Sequence, residues 1–152
     1  MTATKKKRKY EPWGFDLKVK RSSAGLGLFA GEDIPKGACI IEYVGRELTK
    51  EEEETTGSKY LFDLGKGKTI DGNVPYNIAK RINHSCRPNC EAELWHGRAF
   101  ILARRNIKAG EELGYDYGRD YFNWIMGPNG CRCAKCMEKR KSGCLRSRFT
   151  SC

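Results

Sequence analysis

Apolar residues come in short runs along this chain, with polar or glycine-rich breaks between them. DLKVK (16–20), LGLFA (26–30), ACIIEYVG (38–45), YLFDL (60–64), CEAELW (90–95) and RAFILA (98–103) are rich in β-branched, aromatic and other apolar residues. Gly, Pro or Asn falls between most of them, which is the pattern of short strands. CEAELW and RAFILA flank His96-Gly97, a two-residue step suited to a hairpin turn, and this gives His96 a structural task. TKEEEE (49–54) predicts a short helix with Thr49 as its N-cap and acidic residues in its first turn. YNIAKRIN (76–83) predicts a second short helix. LFAGEDIPKGACI (28–40) is echoed by ILARRNIKAGEEL (101–113), with Ala30, Ile34, Gly37 and Ile40 matching Ala103, Ile107, Gly110 and Leu113. The copies are too far apart for a tandem solenoid and predict two similar β-corners within one fold. The fold expected is mostly β: several small sheets and few short helices.

Composition adds limits. The length of 152 residues suits one compact domain, and 39% hydrophobic residues suffice for a modest core. No apolar run reaches the length of a membrane span. No apolar segment follows the charged N-terminus, so it does not read as a secretory signal. Net charge is +10, and it sits at the ends. Lys5, Lys6, Lys7, Arg8 and Lys9 lie near the start, and residues 132–152 hold seven basic residues against one acidic residue, Glu138. Residues 10–131 are therefore close to neutral. Basic ends suit contact with nucleic acid or another polyanion, or are simply solvated. KKKRK also has the form of a nuclear-localisation run.

Four stretches could carry chemistry. SSAGLGLFA (22–30) holds a glycine pair that lets backbone approach a ligand, but lacks the third glycine and the helix of a dinucleotide fingerprint. RINHSCRPNC (81–90) holds His84 and Cys86, which could be a nucleophile and its base, metal ligands, or turn residues. GEELGYDYGRDYFNW (110–124) alternates aromatics with Asp and Gly, which suits a pocket wall and a cage for a cationic group. CRCAKC (131–136) contains a zinc-type CxxC half-site, Cys133 and Cys136, with Cys131 as a third thiolate. Cys86, Cys90, Cys144 and Cys152 are candidates for a fourth. Three thiols this close, with no sign of secretion, favour a metal over disulfides.

Taken in order, these motifs resemble the SET-domain family of protein-lysine methyltransferases with its post-SET cysteine segment. AGLGLFAGEDIPKGACIIEYVG is similar to the N-terminal SET strands, YLFDL to the substrate-channel strand, RINHSCRPN to the Asn-His signature, GEELGYDYG to the C-terminal signature, and CRCAKC to post-SET. The match runs over about residues 16–136. Its small size, with no cysteine cluster before the domain, resembles the compact bacterial-type members. The resemblance implies a basic N-terminal tail (1–13), a SET domain (14–122), a post-SET zinc segment (123–138) and a basic C-terminal tail (139–152). It also implies a C-terminal pseudoknot among the small sheets.

The resemblance further implies S-adenosyl-L-methionine as methyl donor and a lysine side chain of a histone or another basic, DNA-associated protein as acceptor. Gly25, Leu26 and Gly27 would line the methionine part of the donor. Lys80 belongs to the same cofactor-binding group, Asn83 would bind the donor's amino group, and His84 would hold adenine through its main chain. Tyr121 and Trp124 would pack on adenine. Tyr117 matches the catalytic tyrosine, Tyr115 a Phe/Tyr selectivity position, and Tyr60 the lysine channel. Cys86, Cys131, Cys133 and Cys136 would hold Zn2+. A hydroxyl at Tyr115 implies mono- or dimethylation rather than trimethylation. Nuclear or chromosomal residence follows if KKKRK is a true signal. The sequence departs from the family at Arg81, where an aromatic residue is usual, and in the two-residue gap before Cys136, where four is more common. The competing expectations are a non-catalytic SET-like module that binds a basic peptide or nucleic acid, and a small zinc-binding nucleic-acid module.

Overall fold

A computed structural model describes residues 8–118, 131, 133 and 136–138. Ten short strands run in chain order: β1 (Leu17–Ser22), β2 (Gly25–Ala30), β3 (Cys39–Tyr43), β4 (Arg46–Glu47), β5 (Leu61–Asp63), β6 (Thr69–Asp71), β7 (Asn83–His84), β8 (Cys90–Trp95), β9 (Arg98–Ala103) and β10 (Gly114–Tyr115). They form four small sheets: the β1–β2 pair, β3-β9-β8, β4-β6-β5, and a parallel β7–β10 pair. The expectation of a mostly β fold with several small sheets and few short helices is met.

The predicted hairpin is present. Trp95 pairs with Arg98, and His96 and Gly97 between them both take positive φ, 49° and 71°. That backbone twist matches the twist of the flanking strands, and glycine at the second position carries it without strain. The TKEEEE helix is α1 (Lys50–Thr55), and the Thr49 hydroxyl accepts the Glu52 N–H at 3.1 Å. YNIAKRIN forms only one 3-10 turn, Ile78–Arg81. Asn77, almost fully buried before that turn, uses its side chain on other backbone. It donates to the Gly72 carbonyl at 2.9 Å and accepts from Val44 N–H at 3.3 Å.

The two echoed corners face each other. Ile34 and Ile107 exchange backbone hydrogen bonds, both at 2.8 Å. Gly37 N–H donates to the Ala103 carbonyl, and the equivalent Gly110 N–H donates to the Ala30 carbonyl. The side chains repeat the relation: Asn106 accepts from Lys36 N–H, and Asp33 accepts from Ala109 N–H. Each corner thus satisfies the turn of the other, and the internal repeat is a local two-fold. Both glycines sit at positive φ where the corner turns.

The core lies where these corners meet the β3-β9-β8 sheet. Leu28, Ile34, Ile82, Phe100, Ile101, Ile107 and Leu113 are essentially inaccessible. Near the N-terminus, Tyr10 stacks on Trp95 at 5.3 Å and Trp13 N–H donates to the Cys39 carbonyl, so the chain is packed against the sheet from Tyr10 onward. Among the described residues no helix is long and apolar enough to cross a membrane.

Ile107→Ala removes a side chain that is 1% exposed at the centre of the corner pair, and should cost about 2–5 kcal/mol. Ile78→Ala, at a position 38% exposed, should cost less than about 1 kcal/mol. Urea unfolding of the two variants measures the contrast, and equal midpoints would contradict this placement of the core.

Candidate active site and four-cysteine cluster

The parallel β7–β10 ladder is only two residues long, Asn83 beside Gly114 and His84 beside Tyr115. It is reinforced from outside. Ser85 N–H donates to the Tyr115 carbonyl at 3.1 Å. Asn89, 5% exposed, uses both ends of its amide on the same segment: Nδ2 donates to the Glu112 carbonyl and Oδ1 accepts from Gly114 N–H, each at 2.9 Å. Gly114 has to be glycine here, because a Cβ would stand 2.7 Å from that of Ser85. The second asparagine of the NHSCRPN stretch is thus a stitch, not a ligand.

Glu112, Leu113 and Gly114 border one cleft, and Tyr115, Asp116 and Tyr117 border another, so β10 passes from the first to the second. The first cleft, about 100 Å³, is lined by Ser23, Ala24, Asn83, His84, Ser85, Glu112, Leu113, Gly114 and Cys133. The second, about 310 Å³, is lined by Leu61, Phe62, Asp63, Ala92, Tyr115, Asp116 and Tyr117. A third, polar hollow against α1 shares Asp63 with it.

In the first cleft, Asn83 Nδ2 donates to the Leu26 carbonyl at 2.9 Å and to Glu112 Oε1 at 3.1 Å, with Ser22 Oγ at 3.3 Å. Gly25, Leu26 and Gly27 form the start of β2 beside it, and Gly25 takes positive φ (101°). A side chain at Gly27 would push the Glu112 carboxylate aside: a Cβ there would lie 2.4 Å from Glu112 Oε1. Glu112 was not among the residues expected from sequence. The cue for it was its place inside GEELGYDYG, next to a strand that has to pack on the glycine pair.

In the second cleft the Tyr115 and Tyr117 rings meet at 4.9 Å, and Tyr117 Oη donates to the Ile82 carbonyl at 2.5 Å. Tyr115 is 9% exposed and Tyr117 is half-buried. Of the expected aromatic cage, these two are juxtaposed; Tyr121 and Trp124 lie outside the described residues. Tyr60 does not line this cleft. Its ring faces Lys80 Nζ at 5.9 Å, and its carbonyl accepts from the Tyr43 hydroxyl. Lys80 in turn reaches the Val74 carbonyl and Asn73 Oδ1 at 3.3 and 3.4 Å, so it braces the loop before the 3-10 turn.

His84 joins the clefts. Its Nδ1 accepts the Tyr117 N–H at 3.1 Å, so in the neutral ring the proton sits on Nε2, which lies 3.6 Å from Cys86 Sγ. Burial pushes the His84 pKa below the usual value, and Asp116 beside it offsets part of this. A neutral His84 is therefore a fixed spacer between Tyr117 and Cys86. It does not activate a thiol: burial pushes Cys86 up to about 11, opposite to what a nucleophile needs.

Cys86, Cys131, Cys133 and Cys136 place all four Sγ atoms within 4.8 Å of one another. The Cys86 sulfur lies 3.6 Å from Cys131 and 3.7 Å from Cys136. Thiolates around tetrahedral zinc, with Zn–S near 2.3 Å, stand roughly 3.8 Å apart. A disulfide would need about 2.05 Å. A hydrogen bond from Cys131 to Cys133 lowers the pKa of Cys133 and raises that of Cys131. Thiols this close, two of them buried, cannot all ionise beside one another without a cation among them. The set is compatible with zinc, and the tight CRCAKC spacing does not prevent it from converging. Cys39 and Cys90, pushed up to about 11 and about 12 by burial, stand apart in the β3-β9-β8 sheet as inert packing.

Residues 25–118 match the SET domain family, and the chain belongs to it. Among its relatives are histone-lysine N-methyltransferase trr of Drosophila melanogaster, 40% identical over 128 residues, which is 76% of this chain and 5% of that protein. A second is the "H3 lysine-4 specific" histone-lysine N-methyltransferase of Chaetomium globosum, 42% identical over 115 residues, 66% of this chain and 11% of that protein. A third, the "H3 lysine-36 specific" enzyme of Emericella nidulans, is 33% identical over 130 residues, 77% of this chain and 13% of that protein. The chain therefore spans only a small part of the length of these relatives.

Cys133→Ser leaves three thiolates and should lower bound zinc from one equivalent to a fraction of one after exposure to a mild chelator. Metal analysis beside the wild type checks this. Unchanged zinc content would remove Cys133 from the ligand set.

Proposed function

We propose that this SET domain, which the resemblance places at 14–122, is a protein-lysine N-methyltransferase. The observation that carries the reading is the pair of clefts that meet along β10, one bordered by Gly114 and the other by Tyr115, joined by the His84–Tyr117 hydrogen bond. A reaction between two bound substrates in line needs such an arrangement, with one reactant on each side of a narrow partition.

The first cleft, lined by Asn83, His84 and Glu112, with the Gly25–Gly27 backbone held next to it by the Asn83–Leu26 hydrogen bond, suits S-adenosyl-L-methionine. When bound, this group supplies an electrophilic methyl carbon on a sulfonium. The second cleft suits the alkyl chain and amine of a lysine. Free lysine titrates near about 10.4 and is protonated at neutral pH. The rings of Phe62, Tyr115 and Tyr117 strip water from the amine, which disfavours its charged form, while Asp63 and Asp116 on the same cleft act in the opposite sense. The Tyr115 and Tyr117 hydroxyls and the Ile82 carbonyl then orient the nitrogen lone pair towards the first cleft. As methyl transfers, a C–N bond forms and the C–S bond breaks, while the amine's proton has already left to solvent. What these residues supply is positioning and desolvation, not strong base catalysis.

The four cysteines would hold zinc as a structural clasp, tying the segment at Cys131–Cys136 to the loop after β7. Relatives named for histone lysines favour a histone-like substrate. The basic residues at 1–7 and 139–152 lie outside the described residues; their charge favours a nucleic-acid or chromatin location, in keeping with the KKKRK run.

Labelled S-adenosyl-L-methionine incubated with mixed histones should give protein-bound methyl groups, and Tyr117→Phe should reduce the rate by about a hundredfold. Full-rate transfer in that variant would refute the mechanism. Intact protein that binds no donor would favour a peptide-binding module instead. The hydroxyl at Tyr115 should restrict the channel, so Tyr115→Phe shifts product masses towards higher methylation. An unchanged product distribution would refute that role.

A further inference from the structure

Glu112 is a half-buried carboxylate that borders the first cleft and lies directly over Gly27. Its Oε1 accepts from Asn83 Nδ2. The Leu26 carbonyl takes the other short hydrogen bond from the same nitrogen, and Ser22 Oγ also faces it. Three acceptor atoms surround one end of the amide, which settles its orientation: a reversed amide would set Oδ1 against a carboxylate and a carbonyl. Both hydrogens of Nδ2 are occupied, so all that Asn83 can offer a ligand is the acceptor Oδ1. Among the described residues Glu112 Oε2 makes no hydrogen bond. What Asn83 and Glu112 offer a ligand at this corner of the cleft is thus acceptor oxygens, Asn83 Oδ1 and Glu112 Oε2.

We infer that Glu112 is a positioning residue that locks the Asn83 amide with its oxygen available to the ligand and makes this corner selective for an alkylammonium group. The ligand class is an amino-acid-bearing nucleoside thioether, with its α-ammonium held at the Asn83–Glu112 corner. This rests on the assignment of the first cleft to the methyl donor. Gly27 is part of the device, because any side chain there would displace the carboxylate from Asn83.

Two neutral-sulfur probes separate the ammonium from the rest of the ligand: S-adenosylhomocysteine, which has the amino-acid arm, and 5′-methylthioadenosine, which lacks it. Calorimetric titration of the full chain with each probe gives the test. Glu112→Ala should weaken S-adenosylhomocysteine on the order of tenfold to a hundredfold, the range carried by a hydrogen bond to a charged group. Binding of methylthioadenosine should stay within about twofold. Glu112→Gln keeps an acceptor for Asn83 but loses the charge, so it should show a smaller, several-fold loss confined to S-adenosylhomocysteine; it carries the test if the alanine variant fails to fold. Wild-type affinity for S-adenosylhomocysteine in both variants would overturn the inference. So would a parallel loss of both probes, which would mean that Glu112 only shapes the cleft. Asn83→Ala serves as the control on the underlying assignment. If it too leaves S-adenosylhomocysteine binding unchanged, the donor does not occupy this cleft; if it alone weakens binding, the assignment stands and the role of Glu112 fails.

Discussion

Two residues of parallel strand pairing, Asn83 with Gly114 and His84 with Tyr115, hold the site together. So short a ladder contributes little by itself. It persists because the buried Asn89 amide bonds the Glu112 and Gly114 backbone from both its ends and because Ser85 extends the pairing by one hydrogen bond. Leaving those buried groups unpaired would cost about 1–3 kcal/mol each, which is why the loop between β7 and β8 is bound to one conformation. Everything chemical hangs on this junction. Asn83 and Glu112 face one cleft, Tyr115 and Tyr117 the other, and Cys86 leaves the same loop for the sulfur cluster.

The paired corners explain how so little regular structure becomes a rigid scaffold. The corner at 30–40 and the corner at 103–113 complete each other's backbone hydrogen bonds around Ile34 and Ile107, and both isoleucines are buried. The strand before the first corner carries the glycine pair, and the strand after the second carries Glu112 to Tyr115. Docking the corners therefore brings Gly27 under Glu112, although the two are far apart in sequence. His84 then links this scaffold to the sulfur cluster through one imidazole, with Tyr117 on one nitrogen and Cys86 on the other.

Much of this was legible in the sequence where the signal is local. The His96-Gly97 turn, the Thr49 cap and the short strands follow from residue type and spacing. The repeat of Ala, Ile, Gly and Ile/Leu marked both corners, but not that they dock on each other, since that contact is long-range. YNIAKRIN has a helical look and makes only one 3-10 turn, because Asn77 is committed to pinning Val44 and Gly72. The four cysteines could be grouped by composition and resemblance, while their convergence depends on where the β7–β8 loop returns. Asn89 was missed because nothing in a single sequence separates a buried stitch from a solvated polar residue, and Glu112 because its contact with Asn83 is long-range. Tyr60 and Lys80 are brought together in space, beside the loop at Asn73 and Val74 and not on the walls of either cleft.

The central claim is that donor and acceptor meet at β10, each from its own cleft. A structure of the protein with S-adenosylhomocysteine and a lysine peptide bound together tests it most directly. The account predicts the thioether sulfur in the Asn83–His84 cleft and the lysine Nζ between Tyr115 and Tyr117. The two should point at each other through the gap beside the Ile82 carbonyl, with room for one methyl group between them. Finding both ligands in the same cleft, or the lysine amine away from the two tyrosines, would contradict it.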